Sequence, residues 1–397
     1  MAGEEGQGQE GRDQPVWQDH DLHVVWGITL MSVLAIASVT PAFPEVEQAF
    51  NLSSGQVYLL ISVFALPGVF LTFVAGILSD RYGRRKVVVP ALFLFGIAGA
   101  ACAFAPNFGV FLALRFLQGI GGAGLAAPNY AIIGDLYVGR ERTTAFGYNS
   151  SILSISAASF PAIGGALALL GWSYPFLLPL LAIPIGFLVL YSLHKAEPHN
   201  RENLREHLGV VLKRLKNPRD LGLFACSLVT FVVLFGTLQG YLPTLMNQNF
   251  GASSLLTGVV LASLSITAAL TSTQMGRLSS RFSEQNLIRA SFVLYAVALC
   301  LIPLVPVVWL LFVPMLVFGV AQSLNVPNVY SLLNQDAPDE EHRGAFISLN
   351  STTLRLGQLI GPLLMAAAQP LLGIGGAYFA AAALVGGMFF VAFFFIR

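Results

Sequence analysis

Charge is scarce in this sequence. Only 10% of the 397 residues are charged, whereas 55% are hydrophobic. Soluble domains carry about 25% charged residues, so water cannot be the solvent for most of this surface, and we expect a lipid bilayer around it. The net charge of +1 gives no reason to expect a nucleic-acid partner.

Groups that could support chemistry are also few. The three cysteines, Cys102, Cys226 and Cys300, lie inside apolar runs, and the six histidines form no ligand cluster. We therefore predict no disulfide and no metal site. The sequence lacks the phosphate-binding pattern G-x-x-x-x-G-K-[ST], and it lacks the facing acids, histidines or nucleophile that a membrane enzyme needs. These absences predict no catalytic residue, no cofactor and no enzymatic activity.

The hydrophobic residues fall into twelve runs, each long enough to cross the roughly 30 Å of hydrocarbon in a bilayer. They lie at about 24–43, 56–78, 87–105, 108–137, 144–170, 174–193, 221–245, 254–275, 287–305, 307–333, 344–369 and 374–396. Each run is an expected transmembrane helix, and the runs are numbered here as spans 1–12. The predicted fold class is an all-α membrane protein.

Polar segments divide the spans into two sets of six. Residues 1–22 are acidic and glycine-rich, which is typical of a cytoplasmic tail rather than a cleaved signal. Residues 23–193 and 220–397 would form an N-terminal and a C-terminal six-helix bundle. Residues 194–219 repeat leucines at helical spacing with basic residues opposite, which predicts a cytoplasmic linker with an amphipathic helix.

Lysine and arginine are absent from every second connection between spans. The connections after spans 2, 4, 6, 8 and 10 carry basic residues, from Arg81 to Arg343. The only charges in the other connections are Glu45 and Glu47. Because basic connections stay in the cytoplasm, we expect both termini inside, in the cell's inner (plasma) membrane.

The two sets of spans repeat each other with an offset near 200 residues. LAAPN at 125–129 matches LNVPN at 324–328, and NSS at 149–151 matches NST at 350–352. Halves related in this way place a substrate site near the midplane between them, and access alternates as one half rocks against the other. The repeat predicts two pseudo-symmetric bundles that form a transporter, which we expect to be monomeric.

The connection after span 2 reads GILSDRYGRRK at 76–86. It resembles the signature loop of the major facilitator superfamily, roughly G-x-L-a-D-R-x-G-R-[RK]. The resemblance implies a charge cluster of Asp80, Arg84 and an acid at the end of span 4, a position filled by Asp135, that holds the outward-open state. The conformational latch implied in this way comprises Gly76, Asp80, Arg81, Gly83, Arg84 and Asp135. The copy in the second half, at 276–282, lacks the acid, so only the first should act as a strong latch.

Span 4 carries RFLQGIGGAG at 115–124, which resembles an arginine motif of the drug:proton antiporter branch of that superfamily. A membrane-embedded arginine is costly, so Arg115 should face protein or water. Gln118 lies one turn on, and Asn129 shares the same stripe. These three residues are predicted to contact substrate; the alternative is that Arg115 hydrogen-bonds carbonyl groups of span 1.

Span 5 carries SAASFPAIGG at 156–165, similar to the antiporter motif G-x-x-x-G-P-x-x-G-G, although Ser156 and Phe160 replace two glycines. Span 11 carries a closer copy, GQLIGPLL, at 357–364. Prolines bend membrane helices and small residues let them approach. The helix-bend motif predicted from these copies comprises Pro161, Gly164, Gly165, Gly357, Gly361 and Pro362. Plain helix packing is the alternative role.

Span 11 also places Arg355 in the membrane interior, with Gln358 on the same face. No acid lies in the middle of a span to pair with Arg355 or Arg115. A water-filled cavity with two unpaired arginines attracts anions. The predicted substrate site also includes a polar stripe on span 10, formed by Gln322, Asn325 and Asn328. The outer end of span 7 would add a wall of Thr237, Gln239 and Tyr241.

Span 1 lacks the membrane-embedded acid that many drug:proton antiporters carry, because residues 24–43 contain no acidic residue. Proton coupling would then use a peripheral acid, with Asp135, Asp80 and Glu45 as candidates, or would not occur.

The leading function is secondary active export of a small amphiphilic compound, a drug or a metabolite, by proton-coupled antiport with alternating access. The alternative is an organic-anion carrier or exchanger, for an acidic metabolite or siderophore, that uses the cavity arginines. A neutral or anionic substrate fits either function better than a cation.

Overall fold

Long helices make up most of the chain that the structure describes, and no strand occurs in that part. The computed structural model describes residues 16–53, 55–192, 217–335 and 340–396. Within these ranges, the side chains of residues 80, 126–131, 140 and 340–348 are outside the description. The predicted linker helix and most of the predicted tail lie outside the described residues.

The first six spans form the N-terminal half. Their helices are His20–Ala37, Leu59–Tyr82, Arg84–Ala101, Phe108–Leu136, Gly139–Ala168 and Ala182–Ser192, the last preceded by a 3-10 segment, Tyr174–Leu181. The end of span 1 bends through a 3-10 turn at Thr40–Ala42 into a short helix, Phe43–Phe50. Span 1 begins earlier than the hydrophobic run because the Asp19 side chain accepts a hydrogen bond from the Asp21 amide (3.0 Å) and caps the helix.

The other six spans form the C-terminal half. Span 7 comprises the helix Pro218–Val233, a π-helical segment, Leu234–Tyr241, and the helix Leu242–Phe250. Spans 8, 9 and 10 are Ser254–Ser272, Glu284–Leu301 and Phe312–Gln335, with a short helix, Met275–Ser279, after span 8. Spans 11 and 12 both lie within Glu340–Phe395.

The last helical stretch contains two spans rather than one. Eleven described stretches are long and apolar enough to cross a membrane, and Leu349–Phe395 is the longest at 47 residues. At 1.5 Å per residue it would be roughly twice as long as the hydrocarbon is thick. Gly373 breaks it with φ 69° and ψ 175°, which are not helical angles. Twelve spans in an all-α fold are therefore confirmed.

The internal repeat is visible in the backbone. The short helix Phe43–Phe50 ends at Asn51 (φ 52°), and its counterpart Leu242–Phe250 ends at Gly251 (φ 59°). Both residues adopt the left-handed conformation that terminates helices. The two short helices also pack against each other, so equivalent elements of the halves meet at one end of the molecule.

This end is called the acidic end, because Glu45 and Glu47 lie there, and the end near Arg84 is called the basic end. Hydrogen bonds join the halves at the acidic end. They run from Thr40 Oγ1 to Gln239 Oε1 (2.9 Å), from Thr244 Oγ1 to Glu47 Oε1 (3.2 Å), from Ser254 Oγ to the Gly165 carbonyl (3.1 Å), and, deeper, from Ser62 Oγ to the Leu359 carbonyl (2.8 Å). The rings of Tyr58 and Tyr241, one from each half, lie 4.5 Å apart between their centroids and are tilted by 40°. The acidic end is closed.

Spans 5 and 8 pack closely near the acidic end, and the same face of span 5 is more exposed toward the basic end. Near the acidic end, Pro161 and Gly165 of span 5 lie directly against the backbone of span 8. The same face of span 5 continues through Ser154 and Ser151 at helical spacing. Ser151 is exposed and Ser154 is partly exposed. A face that is covered at the acidic end is thus accessible farther along, which indicates a cleft between the halves that opens toward the basic end.

Candidate substrate cavity between the two halves

Arg115 lies in the interior of the N-terminal half. Its side chain is 0% exposed. Nε donates to the Leu60 carbonyl (3.2 Å), and Nη1 donates to the Ala35 carbonyl (3.0 Å) and to Gln118 Oε1 (2.8 Å). The ring of Phe64 lies 5.0 Å from Cζ, a distance at which an aromatic face attracts a cation. Arg115 therefore ties span 4 to spans 1 and 2.

This position argues against the predicted contact of Arg115 and Gln118 with substrate. Both side chains are fully buried, so neither reaches the cleft in this conformation. The alternative, hydrogen bonding to a carbonyl of span 1, is what the structure shows at Ala35. The side chain of Asn129, the third member of this predicted group, lies outside the described residues.

Arg355 lies where the two halves meet. Its Nη1 donates to Gln358 Oε1 (2.9 Å). A methyl group built on Gly68 of span 2 would be 3.3 Å from the Arg355 Cδ, so the arginine stem crosses from the C-terminal half onto the N-terminal half. The side chain is partly exposed, whereas Gln358 is buried. Because Arg355 touches the opposite half, its accessible surface faces the space between the halves.

The polar stripe of span 10 points mainly into its own half. Asn325 is buried; it accepts a hydrogen bond from Thr230 Oγ1 (3.1 Å) and donates to Ser291 Oγ (2.9 Å). Asn328 is also buried and donates to the carbonyl one turn earlier, at Leu324 (2.7 Å). Gln322 is partly exposed and accepts from Tyr295 (2.7 Å). The structure thus gives Asn325 and Asn328 packing roles and leaves Gln322 accessible.

The π-helical segment of span 7 closes the cavity toward the acidic end. A π-helix shifts the register of the side chains and often marks a functional region. The carbonyl of Thr237 accepts a hydrogen bond from the Tyr378 hydroxyl (3.0 Å). Gln239 and Tyr241 reach Thr40 and Tyr58 of the other half. Thr237 and Tyr241 are buried and Gln239 is partly exposed, so these residues form contacts within the closed end, and a wall that meets substrate stays a prediction.

The latch residues form an ion pair within the N-terminal half. Arg84 Nε lies 2.9 Å from Asp135 Oδ2, and Nη1 donates to Ser79 Oγ (3.3 Å). Gly83 has φ 102°, a value that favours glycine and lets the chain turn sharply into span 3. The ion pair is present while the acidic end is closed, so it does not by itself hold that end open. The side chain of Asp80 lies outside the described residues, and Arg81 is exposed.

The glycines of the helix-bend motif lie at close helix contacts. A methyl group on Gly164 would overlap the Ser38 carbonyl of span 1, and one on Gly165 would overlap the Ser254 carbonyl of span 8. In span 11, methyl groups on Gly357 and Gly361 would likewise meet the backbone of span 7. Pro161 and Pro362 lie inside these helices. The contacts fit the packing role.

One polar contact at the acidic end escaped sequence reasoning. Glu47, which is not among the predicted proton-coupling candidates, accepts a hydrogen bond from Thr244 of the other half. Glu45 Oε2 is buried without a hydrogen-bond partner among the described residues. The sequence showed that Glu45 and Glu47 carry the only charges in the connections on this side of the membrane. Helical phase alone did not indicate which of the two faces span 7.

Comparison with known proteins decides the family. The sequence profile of the Major Facilitator Superfamily matches residues 25–248 and 235–397. The chain belongs to the Major Facilitator Superfamily. It is therefore a multi-pass membrane transporter, like its relatives in this superfamily.

Similar members of the superfamily are named for drug resistance or export. The class B tetracycline resistance protein of Escherichia coli is 24% identical over 352 residues, which cover 85% of this chain and 86% of that protein. The quinolone resistance protein NorA of Staphylococcus aureus (strain MRSA252) is 24% identical over 342 residues, 84% of this chain and 86% of NorA. The bacillibactin exporter of Bacillus subtilis (strain 168) is 33% identical over 156 residues, 38% of this chain and 39% of that protein. The resemblance to the drug antiporter branch is thereby confirmed.

Solved structures of superfamily members share the fold. The D-xylose–proton symporter aligns with a TM-score of 0.75 at 16% sequence identity, and the alignment covers 97% of this chain and 98% of the symporter chain. A bacterial homologue of the human lysosomal transporter Spinster, inward-facing and unoccupied, has a TM-score of 0.73 at 18% identity, with coverage of 96% and 95%. The fold with two six-helix halves is confirmed.

Proposed function

We propose that this superfamily member exports a small amphiphilic compound, a drug or a metabolite, by alternating access with protons moving in the opposite direction. Its relatives are named for resistance to tetracycline and quinolones and for export of bacillibactin. Residues 23–193 and 220–397 would move as two units. Because basic connections stay in the cytoplasm, we infer that both termini are cytoplasmic and that the protein lies in the inner (plasma) membrane.

The interface between the halves is the observation that supports export. It is closed at the acidic end by contacts such as Thr40–Gln239, and it is accessible toward the basic end along Ser151 and Ser154. With the basic end in the cytoplasm, a compound would enter the cleft from the cytoplasm. Release outside requires the contacts at the acidic end to break, which is the alternate state of a rocking-halves transporter.

Proton coupling requires an acid whose surroundings change between these two states. Asp135 is already paired with Arg84 at the basic end. Glu45 and Glu47 lie at the acidic end, where opening exposes them to water, and Glu47 contacts the other half directly. Of the predicted candidates, Glu45 and its neighbour Glu47 are therefore favoured over Asp135, and Asp80 stays a candidate on sequence grounds.

A cross-link at the acidic end tests alternating access. Thr40→Cys and Gln239→Cys place thiols where side chains now hydrogen-bond, in a Cys300→Ser background because Cys102 and Cys226 are buried. A short bifunctional thiol reagent should abolish export, and reduction should restore it. The controls are the two proteins that carry only one of the introduced cysteines, treated in the same way. Full export by the cross-linked protein contradicts the proposed mechanism.

Transport by inside-out vesicles tests coupling. Tetracycline and norfloxacin serve as probes because relatives are named for resistance to these drug classes. An acid interior should drive probe accumulation, and a protonophore should abolish it. Probe accumulation that is the same with and without the protonophore would indicate exchange or an uncoupled carrier. Failure of every probe to accumulate above control vesicles that contain the cross-linked protein would contradict drug export.

A further inference from the structure

Two arginine–glutamine pairs with the same spacing occupy different surroundings. Arg115 donates to Gln118 and Arg355 donates to Gln358, each through Nη1 to the Oε1 of a residue three positions later, at 2.8 and 2.9 Å. In both helices the glutamine fixes the orientation of the guanidinium group. The local geometry is therefore shared, and any difference in role must come from what surrounds each pair.

Arg115 is completely buried, whereas Arg355 is partly exposed. The Nε and Nη1 atoms of Arg115 also donate to the carbonyls of Leu60 and Ala35, and its Nη2 is buried without a partner among the described residues, so no bound molecule can reach this guanidinium group. Arg355 is partly exposed, and none of its nitrogens belongs to the buried, unpartnered atoms of the described side chains. A guanidinium group carries five N–H donors, and the hydrogen bond to Gln358 uses one of those on Arg355, so others remain available to a bound molecule.

The charge of Arg355 is also unbalanced. Among the described side chains no carboxylate lies within ion-pair distance of it. A cation inside a membrane protein is costly unless it is paired or hydrated. Contact with Gly68 of span 2 places this cation at the seam between the halves, where a bound molecule would touch both of them.

We infer that Arg355 binds an anionic group of the transported compound, so that the substrate class is a monoanionic amphiphile such as an aromatic carboxylate. The inference rests on the proposed transport function and specifies its substrate. The planar fork of the guanidinium group suits bidentate binding of a carboxylate, and Gln358 holds the fork in position. Arg115 takes no part in binding, because its fork is enclosed within the N-terminal half.

A matched pair of probes tests this inference on the purified full-length protein. Equilibrium binding of 2-naphthoate and of the neutral 2-naphthamide is measured in phosphatidylcholine nanodiscs, with empty nanodiscs subtracted. We expect the wild-type protein to bind the naphthoate more tightly. Arg355→Gln should lower naphthoate affinity by roughly 10- to 100-fold, the range for a charged hydrogen-bonded contact, and leave naphthamide affinity unchanged. Arg281→Gln removes the same charge from the exposed basic end and should change neither affinity.

Three outcomes overturn the inference. The first is a wild-type protein that does not prefer the naphthoate. The second is an Arg355→Gln variant that keeps the wild-type affinity for the naphthoate. An equal loss of both probes in Arg355→Gln indicates damaged folding, and Arg355→Lys then decides, because it keeps the charge and should retain part of the preference; a lysine variant that folds but shows no preference is the third. Binding at equilibrium requires neither rocking nor a proton gradient, so its failure is distinct from failure of the cross-link or vesicle experiments.

Discussion

The contact of Gly165 with span 8 should set how firmly the acidic end closes. A methyl group on Gly165 would overlap the Ser254 carbonyl and lie 2.9 Å from its carbon and 3.0 Å from Leu255 Cα. Carbon atoms in contact prefer about 3.5–4.0 Å, so the two helices must separate by roughly 0.5–1 Å. These helices belong to different halves, and separation at this point is the movement that opens the acidic end. Gly165→Ala should therefore favour the open state.

The size of the shift follows from the cost of overpacking. An added methyl group in a tight contact costs roughly 1–3 kcal/mol when the surroundings cannot move. This cost is absent from the open state, because spans 5 and 8 are apart at the acidic end in that state. A bias of that size changes the ratio of the two states by roughly 5- to 150-fold. The bias acts only on the closed state, so the N-terminal half itself should fold normally.

Alkylation of a cysteine at Thr40 measures the shift. Thr40 is 0% exposed in the closed acidic end, so a maleimide reaches Thr40→Cys only after opening. In a Cys300→Ser background, Gly165→Ala should accelerate alkylation by the factor given above. Gly164→Ala is the matched control: its methyl group would lie 2.7 Å from Ser38 Cα within the same half, so it should lower thermal stability without faster alkylation. Unchanged alkylation in Gly165→Ala would refute the reasoning.

Three further predictions concern polar contacts. Thr244→Val and Glu47→Ala should each weaken closure of the acidic end by about 1 kcal/mol, measured as faster alkylation of Thr40→Cys. Because both changes remove the same hydrogen bond, the double variant should be alkylated no faster than either single variant. Additive effects would contradict the contact. Arg84→Gln and Asp135→Asn should lower vesicle transport to a similar degree and non-additively, because they share one ion pair; a normal rate in either variant contradicts the latch. Asn325→Leu should lower the free energy of unfolding in detergent by about 1–3 kcal/mol, since it leaves a buried hydroxyl without its partner; an unchanged melting temperature contradicts this role.

Span number and the signature loop could be predicted from sequence because each depends on local information. A run of apolar residues must cross the bilayer as a helix, and a pattern such as that at 76–86 lies within one connection. Gly83 shows the same principle, because its φ of 102° is a requirement of a single turn. The loop thus identified the family correctly, and the apolar runs gave the fold.

The site could not be predicted to the same degree because it depends on which neighbour each helix face meets. Arg115 and Arg355 looked equivalent in sequence, since both are mid-span arginines with a glutamine three residues on. Only the carbonyls of Ala35 and Leu60, which belong to two other helices, show that Arg115 is enclosed. Likewise, helical phase did not separate Glu45 from Glu47. Contacts between distant spans decide such cases, and a single sequence carries no direct record of them.

Closure at the acidic end follows from the repeat itself. The short helices Phe43–Phe50 and Leu242–Phe250 are equivalents in the two halves and pack against each other. Elements related by a pseudo-twofold axis meet only near that axis, so their contact covers the exit of the central cavity. Hydrogen bonds such as Thr244–Glu47 and Thr40–Gln239 contribute about 1 kcal/mol each, in addition to the packing of span 5 on span 8. A ligand that binds more tightly when this end is open can reverse the closure only by as much as its affinities for the two states differ.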